Sequence, residues 1–313
     1  MTARAAPLEV VAAVLRDAHG RVLLARRRAD RDQGGLWEFP GGKREAGESP
    51  RDALARELRE ELGIALRDAE PLWRVPWPGA QRDLVLDAWN VAWEGEPHAH
   101  DHDALEWVAP SDLHAWPMPP ADRPIASAIR LPRTCAVTPD ESDERAVERA
   151  ALAALDTGAR MLQLRAPRLS SSSLRALAAR LLPRARAAGA LLVANGAPSL
   201  VAELGLDGVQ LPASYWRTNG RPALPPGALV GASCHDAGEL ARARDAGADF
   251  VVLGHVSATA THRDREPLGW DAFAALARTS ALPVFAIGGL APVDLPRAIA
   301  HGAFGVAGIR AFG

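Results

Sequence analysis

The sequence predicts two domains, an α+β domain over residues 1–131 followed by a (β/α)8 barrel over residues 132–313. The chain of 313 residues exceeds the size at which one hydrophobic core usually stops growing. Seven of the nine tryptophans precede Pro117, whereas the second half is rich in Ala, Leu, Val and Gly, which indicates two different cores. Breakers at residues 116–120 and Pro132 place the linker near residues 130–134.

In the first domain, apolar runs at residues 9–15 and 21–25 predict two strands that form a hairpin around the turn from Asp17 to Gly20. A helix is predicted over residues 50–62, because Ser49 and Pro50 provide a start signal and Gly63 a stop signal. The later elements are strands at residues 84–93 and 106–108 and a short helix at residues 125–130. This order is typical of a mixed α+β domain.

Strands and helices alternate in the second domain. Eight apolar strands are predicted at residues 134–138, 161–165, 190–194, 208–211, 229–232, 250–253, 284–287 and 305–307. Helical segments lie between most of them, at residues 143–155, 173–187, 238–246 and 270–277. Repeated βα units of this number are what a closed parallel barrel requires, and its ligands bind at the carboxyl ends of the strands.

The overall composition narrows the range of partners. A formal net charge of −2 gives no general attraction to phosphate polymers or anionic lipid, so neither a nucleic-acid polymer nor a membrane is expected as a partner. The two cysteines, Cys135 and Cys234, lack metal-type spacing and favour a reducing compartment. Residues 1–7 lack the apolar segment of a signal peptide, and no apolar run approaches the length of a membrane span. We therefore expect a cytoplasmic protein.

Three carboxylates share one face of the predicted first helix, because Glu57, Glu60 and Glu61 are spaced i, i+3 and i+4. Such a face repels itself unless a cation neutralises it. Mg²⁺ takes oxygen ligands and is often held by carboxylates together with substrate phosphates. On its own, the cluster has an alternative interpretation as a solvated acidic face that Arg56 and Arg59 partly neutralise.

The segment from Gly42 to Ile64 matches the signature Gly-x5-Glu-x7-Arg-Glu-U-x-Glu-Glu-x-Gly-U, in which U is apolar, and so resembles the Nudix hydrolases. The resemblance covers residues 1–130. It implies an α/β/α sandwich with a mixed sheet and Mg²⁺-dependent hydrolysis of phosphoanhydride bonds, with Mn²⁺ as an alternative ion. The implied metal ligands are the Gly41 carbonyl, Glu57, Glu60 and Glu61, and the implied catalytic residues are Glu48, Arg56, Glu57 and Glu60.

The stretch Leu-Trp-Glu-Phe-Pro-Gly-Gly-Lys at residues 36–43 is similar to the MutT branch of this family, the 8-oxo-dGTP diphosphatases. This likeness implies a small nucleotide as substrate, bound by Phe39, Arg27 and Asp122, and a further metal ligand at Asp101. Asp122 stands where the branch carries an asparagine that hydrogen-bonds the oxidised purine. An ionised carboxylate only accepts hydrogen bonds, so base recognition must change or Asp122 must be protonated. For Arg27, a solvated strand end is the alternative.

The run His-Ala-His-Asp-His-Asp at residues 98–103 can be interpreted as a transition-metal cluster or as a solvated polar turn. We interpret it as a polar turn, because histidine-rich loops are commonly solvated.

Residues 133–313 resemble the thiamine phosphate synthase/TenI superfamily through short motifs at the ends of the predicted strands. These are Ala-Val-Thr-Pro-Asp at 136–140, Gln-Leu-Arg at 163–165, Asn-Gly at 195–196, Gly-Val-Gln-Leu-Pro at 208–212 and Ile-Gly-Gly at 287–289. The synthase's Asn-Asp pair is Asn195-Gly196 here, and its phosphate-site lysine is His262. The closer likeness is to TenI, a thiazole tautomerase, in which a histidine after the fifth strand moves a proton; that position is His235.

Gly288 and Gly289 follow the seventh predicted strand and offer backbone amides where barrels frequently hold a phosphate, so a phosphorylated thiazole is the implied ligand. Three interpretations of the whole chain follow. The favoured one is an enzyme that hydrolyses oxidised nucleoside triphosphates, carrying a TenI-like barrel. The second is a thiamine-pathway protein whose Nudix domain cleaves thiamine-like pyrophosphates. In the third, the barrel is a non-catalytic module that senses a ligand or forms a homo-oligomer.

Overall fold

A computed structural model describes residues 5–79, 82–258 and 266–309. The chain divides into two compact units, Met1–Arg130 and Leu131–Gly313. In the described parts of the chain, no helix has both the length and the apolar character needed to cross a membrane. His262, singled out in the sequence, lies outside the described residues. The sequence predicts a domain boundary between residues 131 and 132 and predicts that each domain can fold alone. Both statements stay predictions.

The first unit combines two three-stranded sheets with two α-helices. Its elements are β1 (Leu8–Leu15), β2 (Val22–Arg27), β3 (Trp37–Glu38), α1 (Pro50–Leu62), β4 (Ala65–Trp77), β5 (Leu84–Glu94), β6 (His102–Val108) and α2 (Arg123–Arg130), with a 3-10 helix at Pro110–Ala115. One sheet has the order β1-β5-β4 and the other the order β3-β2-β6. The first is mixed, because β5 runs parallel to β1 and antiparallel to β4. The predicted α+β class is confirmed.

The predicted hairpin of the first two strands is wrong. β1 and β2 lie in different sheets and share a single isolated bridge, between Arg16 and Val22. One edge of β1 pairs along its whole length with β5. The amides of Val11 and Ala13 donate to the carbonyls of Gly42 and Pro40, at 2.9 and 2.7 Å. Both edges of β1 are therefore occupied, and β2 pairs with β3 and β6 instead.

β4 was not predicted, although it spans 13 residues. Pro71 and Pro76 interrupt its sequence, and prolines argue against a strand in the interior of a sheet. β4 lies at the edge of its sheet, where a missing N–H is tolerated, and its register shifts between Pro71 and Trp73.

Helix α1 has the predicted limits. Ser49 is its N-cap: the hydroxyl accepts from the amide of Asp52, and the Asp52 carboxylate accepts from Ser49, which completes a capping box. Gly63 ends the helix in the left-handed conformation, with φ +69°. Four apolar residues of α1 are buried against β1 and neighbouring strands: Ala53, Leu54, Leu58 and Leu62. This packing fixes the rotation of the helix and hence the direction of its glutamates.

The second unit is a closed barrel of eight parallel strands, as predicted. Its strands are β7 (Thr134–Val137), β8 (Met161–Leu164), β9 (Leu191–Asn195), β10 (Gly208–Leu211), β11 (Leu229–Cys234), β12 (Phe250–Gly254), β13 (Val284–Ile287) and β14 (Gly305–Gly308). Its helices are α3 (Glu144–Asp156), α4 (Ser171–Ala187), α5 (Ser199–Leu204), α6 (Ala237–Asp245), α7 (Gly269–Ala277) and α8 (Leu295–Ala300). The sequence did not reveal α5 and α8, which are six residues each and too short for a clear helical period.

Replacing Ser49 by Ala is expected to lower the free energy of unfolding of the first unit by about 1 kcal/mol, because the amide of Asp52 loses its acceptor. Denaturant titration followed by tryptophan fluorescence measures this, since seven of the nine tryptophans lie before Pro117. Ser49→Thr keeps the hydroxyl and serves as the control. An unchanged unfolding midpoint in Ser49→Ala would show that the cap does not stabilise the unit.

Candidate active sites of the two units

The turn at Gly41 and Gly42 is pressed between β1 and α1. Gly41 has φ +146°, and a Cβ there would collide with the carbonyl of Val11. A Cβ on Gly42 would collide with the carboxylate of Glu57. Glycine is therefore required at Gly41, where both the positive φ and the backbone of β1 exclude a Cβ, whereas a Cβ at Gly42 would displace only the end of the Glu57 side chain.

Two of the three predicted glutamates converge on this turn. Oε2 of Glu61 accepts a hydrogen bond from the Gly41 amide at 2.9 Å, and Glu57 lies against Gly42. Burial raises the pKa of Glu61 to about 7. Burial also raises the pKa of Glu57, although Arg56 opposes that shift. Glu60, in contrast, lies on the rim, with 59% of its side chain exposed.

Arg56 organises the outer side of this cluster. Its Nε and Nη2 donate to the two oxygens of Glu48, at 2.8 and 3.0 Å, and its Nη1 donates to Glu57 at 2.9 Å and Glu60 at 3.3 Å. Nη2 also donates to the carbonyl of Lys43. The hydrogen bonds from Arg56 lower the pKa of Glu48 to about 2. Through these hydrogen bonds Arg56 can hold the Glu57 and Glu60 side chains in fixed orientations, and Glu48 fixes the position of Arg56.

The remaining predicted metal ligand, Asp101, faces an arginine on the surface. Asp101 is exposed, and its Oδ1 is 3.8 Å from the Arg31 guanidinium. Among the residues that the structure describes, no three His, Cys, Asp or Glu side chains are already gathered at one point in a way that would hold a metal.

The chemistry of the inner cluster nevertheless fits a divalent cation. Glu57 and Glu61 are carboxylates held partly out of water, and their raised pKa values show that their negative charge is incompletely compensated. Hard cations such as Mg²⁺ neutralise this kind of charge and bind through oxygen. Glu57, Glu61 and the backbone of Gly41 are the groups nearest to such a site, and Glu60 stands at its rim.

Two residues that the sequence analysis missed adjoin this cluster. The side chain of His102 is only 4% exposed, and its Nε2 lies 3.6 Å from Oε1 of Glu38 and 3.9 Å from Oε1 of Glu61. The other oxygen of Glu38 accepts from Nη1 of Arg27 at 2.6 Å. The Glu38 and Glu61 carboxylates raise the pKa of His102 in spite of its burial. The interpretation of His102 as part of a solvated turn is wrong, because β6 begins at this residue and its side chain is buried. A single sequence contains no signal of this burial.

Glu38 also adjoins the predicted nucleotide-binding residues. Phe39 is 3% exposed and Asp122 is 6% exposed, and the Phe39 amide lies 3.4 Å from Oδ1 of Asp122, to which it donates. Burial and the charge of Glu38 raise the pKa of Asp122 to about 7. Arg27, which pairs with Glu38, also donates to the carbonyl of Asp32. The structure therefore brings Arg27, Phe39 and Asp122 to one region around Glu38.

The barrel carries a layer of polar side chains at the carboxyl ends of its strands. Asn195 donates to Oε1 of Gln163 at 2.8 Å, and Gln210 donates to Ser233 at 3.1 Å. Gln163 and Gln210 are 4% and 2% exposed. Oε1 of Gln210 is buried and has no hydrogen-bond partner among the residues that the structure describes. Buried polar groups are normally satisfied, so this oxygen is an exception within the described part of the barrel.

His235 lies directly after β11 and is held by Glu239. Oε2 of Glu239 lies 2.8 Å from the His235 amide and 2.9 Å from its Nδ1. The carboxylate only accepts, so Nδ1 carries the proton and Nε2 is left available. The His235 side chain is 49% exposed, whereas that of Glu239 is 9% exposed. Gly288 and Gly289, with φ +115° and +67°, follow β13 at the same end of the barrel.

Comparison with known families divides the chain at the same place as its fold. Residues 6–129 match the family described as "NUDIX domain", and residues 134–312 match the family described as "Thiamine monophosphate synthase".

Each of the following relatives matches one of the two domains. The CTP pyrophosphohydrolase of Escherichia coli (strain K12) is 46% identical over 123 residues, which are 39% of this chain and 90% of that protein. The 8-oxo-dGTP diphosphatase of the same organism is 33% identical over 124 residues, 39% of this chain and 96% of that protein. A putative thiamine-phosphate synthase of Geobacter sulfurreducens is 38% identical over 164 residues, 50% of this chain and 75% of that protein.

The raised pKa of Asp122 predicts a pH-dependent stability. Its folded-state pKa of about 7 exceeds the ordinary value of 3.8, so the folded protein binds the proton more tightly. The stability contributed by the protonated form is therefore present at low pH and is lost as the pH rises towards 7, by at most about 1.4 kcal/mol per pH unit. Asp122→Asn is expected to remove this loss. Denaturant unfolding of both proteins between pH 5 and pH 8 measures it, and parallel pH curves would contradict the prediction.

Proposed function

Because the chain belongs to the NUDIX domain family over residues 6–129 and to the thiamine monophosphate synthase family over residues 134–312, we propose that its first domain is a divalent-metal-dependent pyrophosphohydrolase acting on nucleoside triphosphates. The proposed reaction converts an oxidised (deoxy)nucleoside triphosphate into the monophosphate and pyrophosphate. The observation that carries the proposal is the convergence of Glu57 and Glu61 on the Gly41-Gly42 turn.

In this proposal, the residues that would hold the metal are Glu57, Glu60, Glu61, the Gly41 carbonyl and Asp101. When bound, Mg²⁺ or Mn²⁺ supplies charge neutralisation for the polyphosphate and activation of water. Water attacks phosphorus, the phosphoanhydride P–O bond breaks, and a carboxylate of α1 takes the proton from water. Arg56 holds Glu57 and Glu60 in place and is itself anchored by Glu48.

The region around Glu38 is proposed to bind the nucleobase, with Phe39, Arg27 and Asp122 as its contacts. A protonated Asp122 can donate a hydrogen bond to a purine carbonyl or ring nitrogen, as the amide of an asparagine does. An ionised Asp122 only accepts, which suits an exocyclic amino group. The second candidate substrate is CTP, because the relative that is 46% identical is a CTP pyrophosphohydrolase.

Replacing Glu60 and Glu61 together by Gln is expected to reduce triphosphate hydrolysis by at least about 100-fold, because the metal loses two charged ligands. The full-length protein is assayed with Mg²⁺ on 8-oxo-dGTP, dGTP, CTP and thiamine diphosphate, and released pyrophosphate or phosphate is quantified. The control, Glu70→Gln with Glu96→Gln, removes the same charge at exposed positions outside the site.

Preference for 8-oxo-dGTP supports the sanitising function, and preference for CTP supports the second candidate. Cleavage of thiamine diphosphate alone would overturn both. Full activity of the Glu60→Gln, Glu61→Gln protein would overturn the catalytic assignment itself.

For the barrel, we infer a site for a phosphorylated thiazole, with the phosphate at Gly288 and Gly289 and with His235 as the proton-transferring group. The His235–Glu239 pair supports this inference, because a fixed tautomer with a free Nε2 suits general acid–base chemistry. The synthase's metal-pyrophosphate chemistry is not part of the proposal, since the Asn-Asp pair that the synthases carry is Asn195-Gly196.

His235→Asn is expected to lower the rate of thiazole-phosphate tautomerisation by about 100-fold or more. The affinity for the ligand should change by no more than a few-fold. Glu239→Gln should reduce turnover to a smaller extent, because it weakens control of the tautomer. NMR follows the tautomers and calorimetry follows binding. Glu203→Gln, an exposed glutamate of α5 that pairs with Arg175, is the matched control. Binding without turnover in the wild-type protein would favour the non-catalytic, ligand-sensing interpretation.

A further inference from the structure

A buried histidine connects the two halves of the first unit's candidate site. Nε2 of His102 lies between two carboxylates, 3.6 Å from Oε1 of Glu38 and 3.9 Å from Oε1 of Glu61. The second oxygen of each carboxylate already has another partner: Arg27 for Glu38, and the Gly41 amide for Glu61. His102 is thus the group that faces the remaining oxygen of both.

A β-bulge puts His102 in this position. Along the β2–β6 pairing, Arg26 faces Ala104, but Arg27 faces His102, so Asp103 is an extra residue in β6. In a regular ladder, Asp103 would be paired with Arg27 and would point to the same side of the sheet. Because of the bulge, His102 pairs with Arg27 instead. Its side chain therefore lies on the face of the sheet on which Arg27 contacts Glu38.

The second nitrogen of the His102 ring, Nδ1, differs from Nε2 in its surroundings. Nδ1 of His102 is buried and has no hydrogen-bond partner among the described residues. A buried donor or acceptor without a partner costs free energy, and an apolar side chain in this place would avoid that cost. The attraction between Nε2 and the two carboxylates acts against this cost.

We propose that His102 is a positioning residue of the pyrophosphohydrolase site: electrostatic attraction between its Nε2–H and Oε1 of Glu61, across 3.9 Å, orients one oxygen, while the hydrogen bond from the Gly41 amide orients Oε2. The proposal rests on the proposed function of the first domain. His102 acts through Glu61 rather than by contact with the nucleotide. Its loss should therefore lower kcat and metal affinity and leave KM for the nucleotide largely unchanged.

The test uses the full-length protein and three replacements of His102. Phe keeps a ring but has no donor, Gln places an amide N–H near the Nε2 position, and Asn places one near the Nδ1 position. We expect His102→Phe and His102→Asn to lower kcat and the affinity for Mn²⁺ by about 10- to 100-fold, the usual effect of losing a group that orients a metal ligand. His102→Gln should recover most of both. Mn²⁺ binding is measured by electron paramagnetic resonance without nucleotide, and kcat and KM with the preferred triphosphate.

His98→Phe is the matched control, because His98 is an exposed histidine of the same run. Tryptophan fluorescence and thermal unfolding check that each variant is folded. If His102→Phe does not fold, the comparison of His102→Gln with His102→Asn still tests the proposal, because only the Gln amide places an N–H near the Nε2 position. Equal losses in Gln and Asn, or wild-type Mn²⁺ affinity in His102→Phe, would overturn the proposal. If the wild-type protein cleaves no triphosphate, the proposed function fails, while the Mn²⁺ measurements still test His102.

Discussion

The first unit depends on the backbone of Gly41 and Gly42 being held from two sides. β1 accommodates the turn through hydrogen bonds from Val11 and Ala13 to the carbonyls of Gly42 and Pro40, and α1 brings Glu57 and Glu61 against it. The same contact explains the sheet arrangement. Because the turn occupies one edge of β1, β2 must find other partners, and it joins β3 and β6, which carry Glu38 and His102. The absence of a Cβ at Gly41 thus lets the turn lie against β1 at the place where α1 brings Glu57 and Glu61 to it.

The cluster of glutamates around the turn has an outer part, at Glu48, and an inner part, at Glu61, which differ in how far their negative charge is compensated. On the outside, Arg56 compensates Glu48 with two parallel hydrogen bonds, and the pKa of Glu48 falls to about 2. Inside, burial raises the pKa of Glu61 to about 7, and the Gly41 amide and the nearby His102 compensate its charge only in part. The negative charge of Glu48 is therefore compensated by Arg56, whereas that of Glu61 is compensated only in part, which fits the binding of a cation. The barrel shows a neutral counterpart, a buried layer of amides in which Oε1 of Gln210 has no hydrogen-bond partner within the described part of the chain.

The parts of this structure that local signals determine could be predicted from the sequence. Ser49, Pro50 and Gly63 give both ends of α1, and eight apolar runs give the barrel. The parts that depend on distant partners could not. The turn at Asp17 to Gly20 is a local hairpin signal, but the partner of β1 is decided by residues 40–42 and by β5. β4 contains two prolines that only an edge position tolerates, and the burial of His102 depends on the register of β6 against β2. Glu57, Glu60 and Glu61 appear equivalent from their spacing, whereas packing separates the exposed Glu60 from the other two.

The prolines of β4 also affect how this protein behaves in a concentrated solution. An edge strand of 13 residues presents a long row of backbone groups to which a strand of another molecule can add, and such addition is a common route to aggregation. Pro71 and Pro76 have no N–H to offer, and the irregular register at Pro71 and Trp73 breaks the flat surface that an incoming strand needs. The residues that hid this strand from the sequence analysis thus give its open side a resistance to self-association.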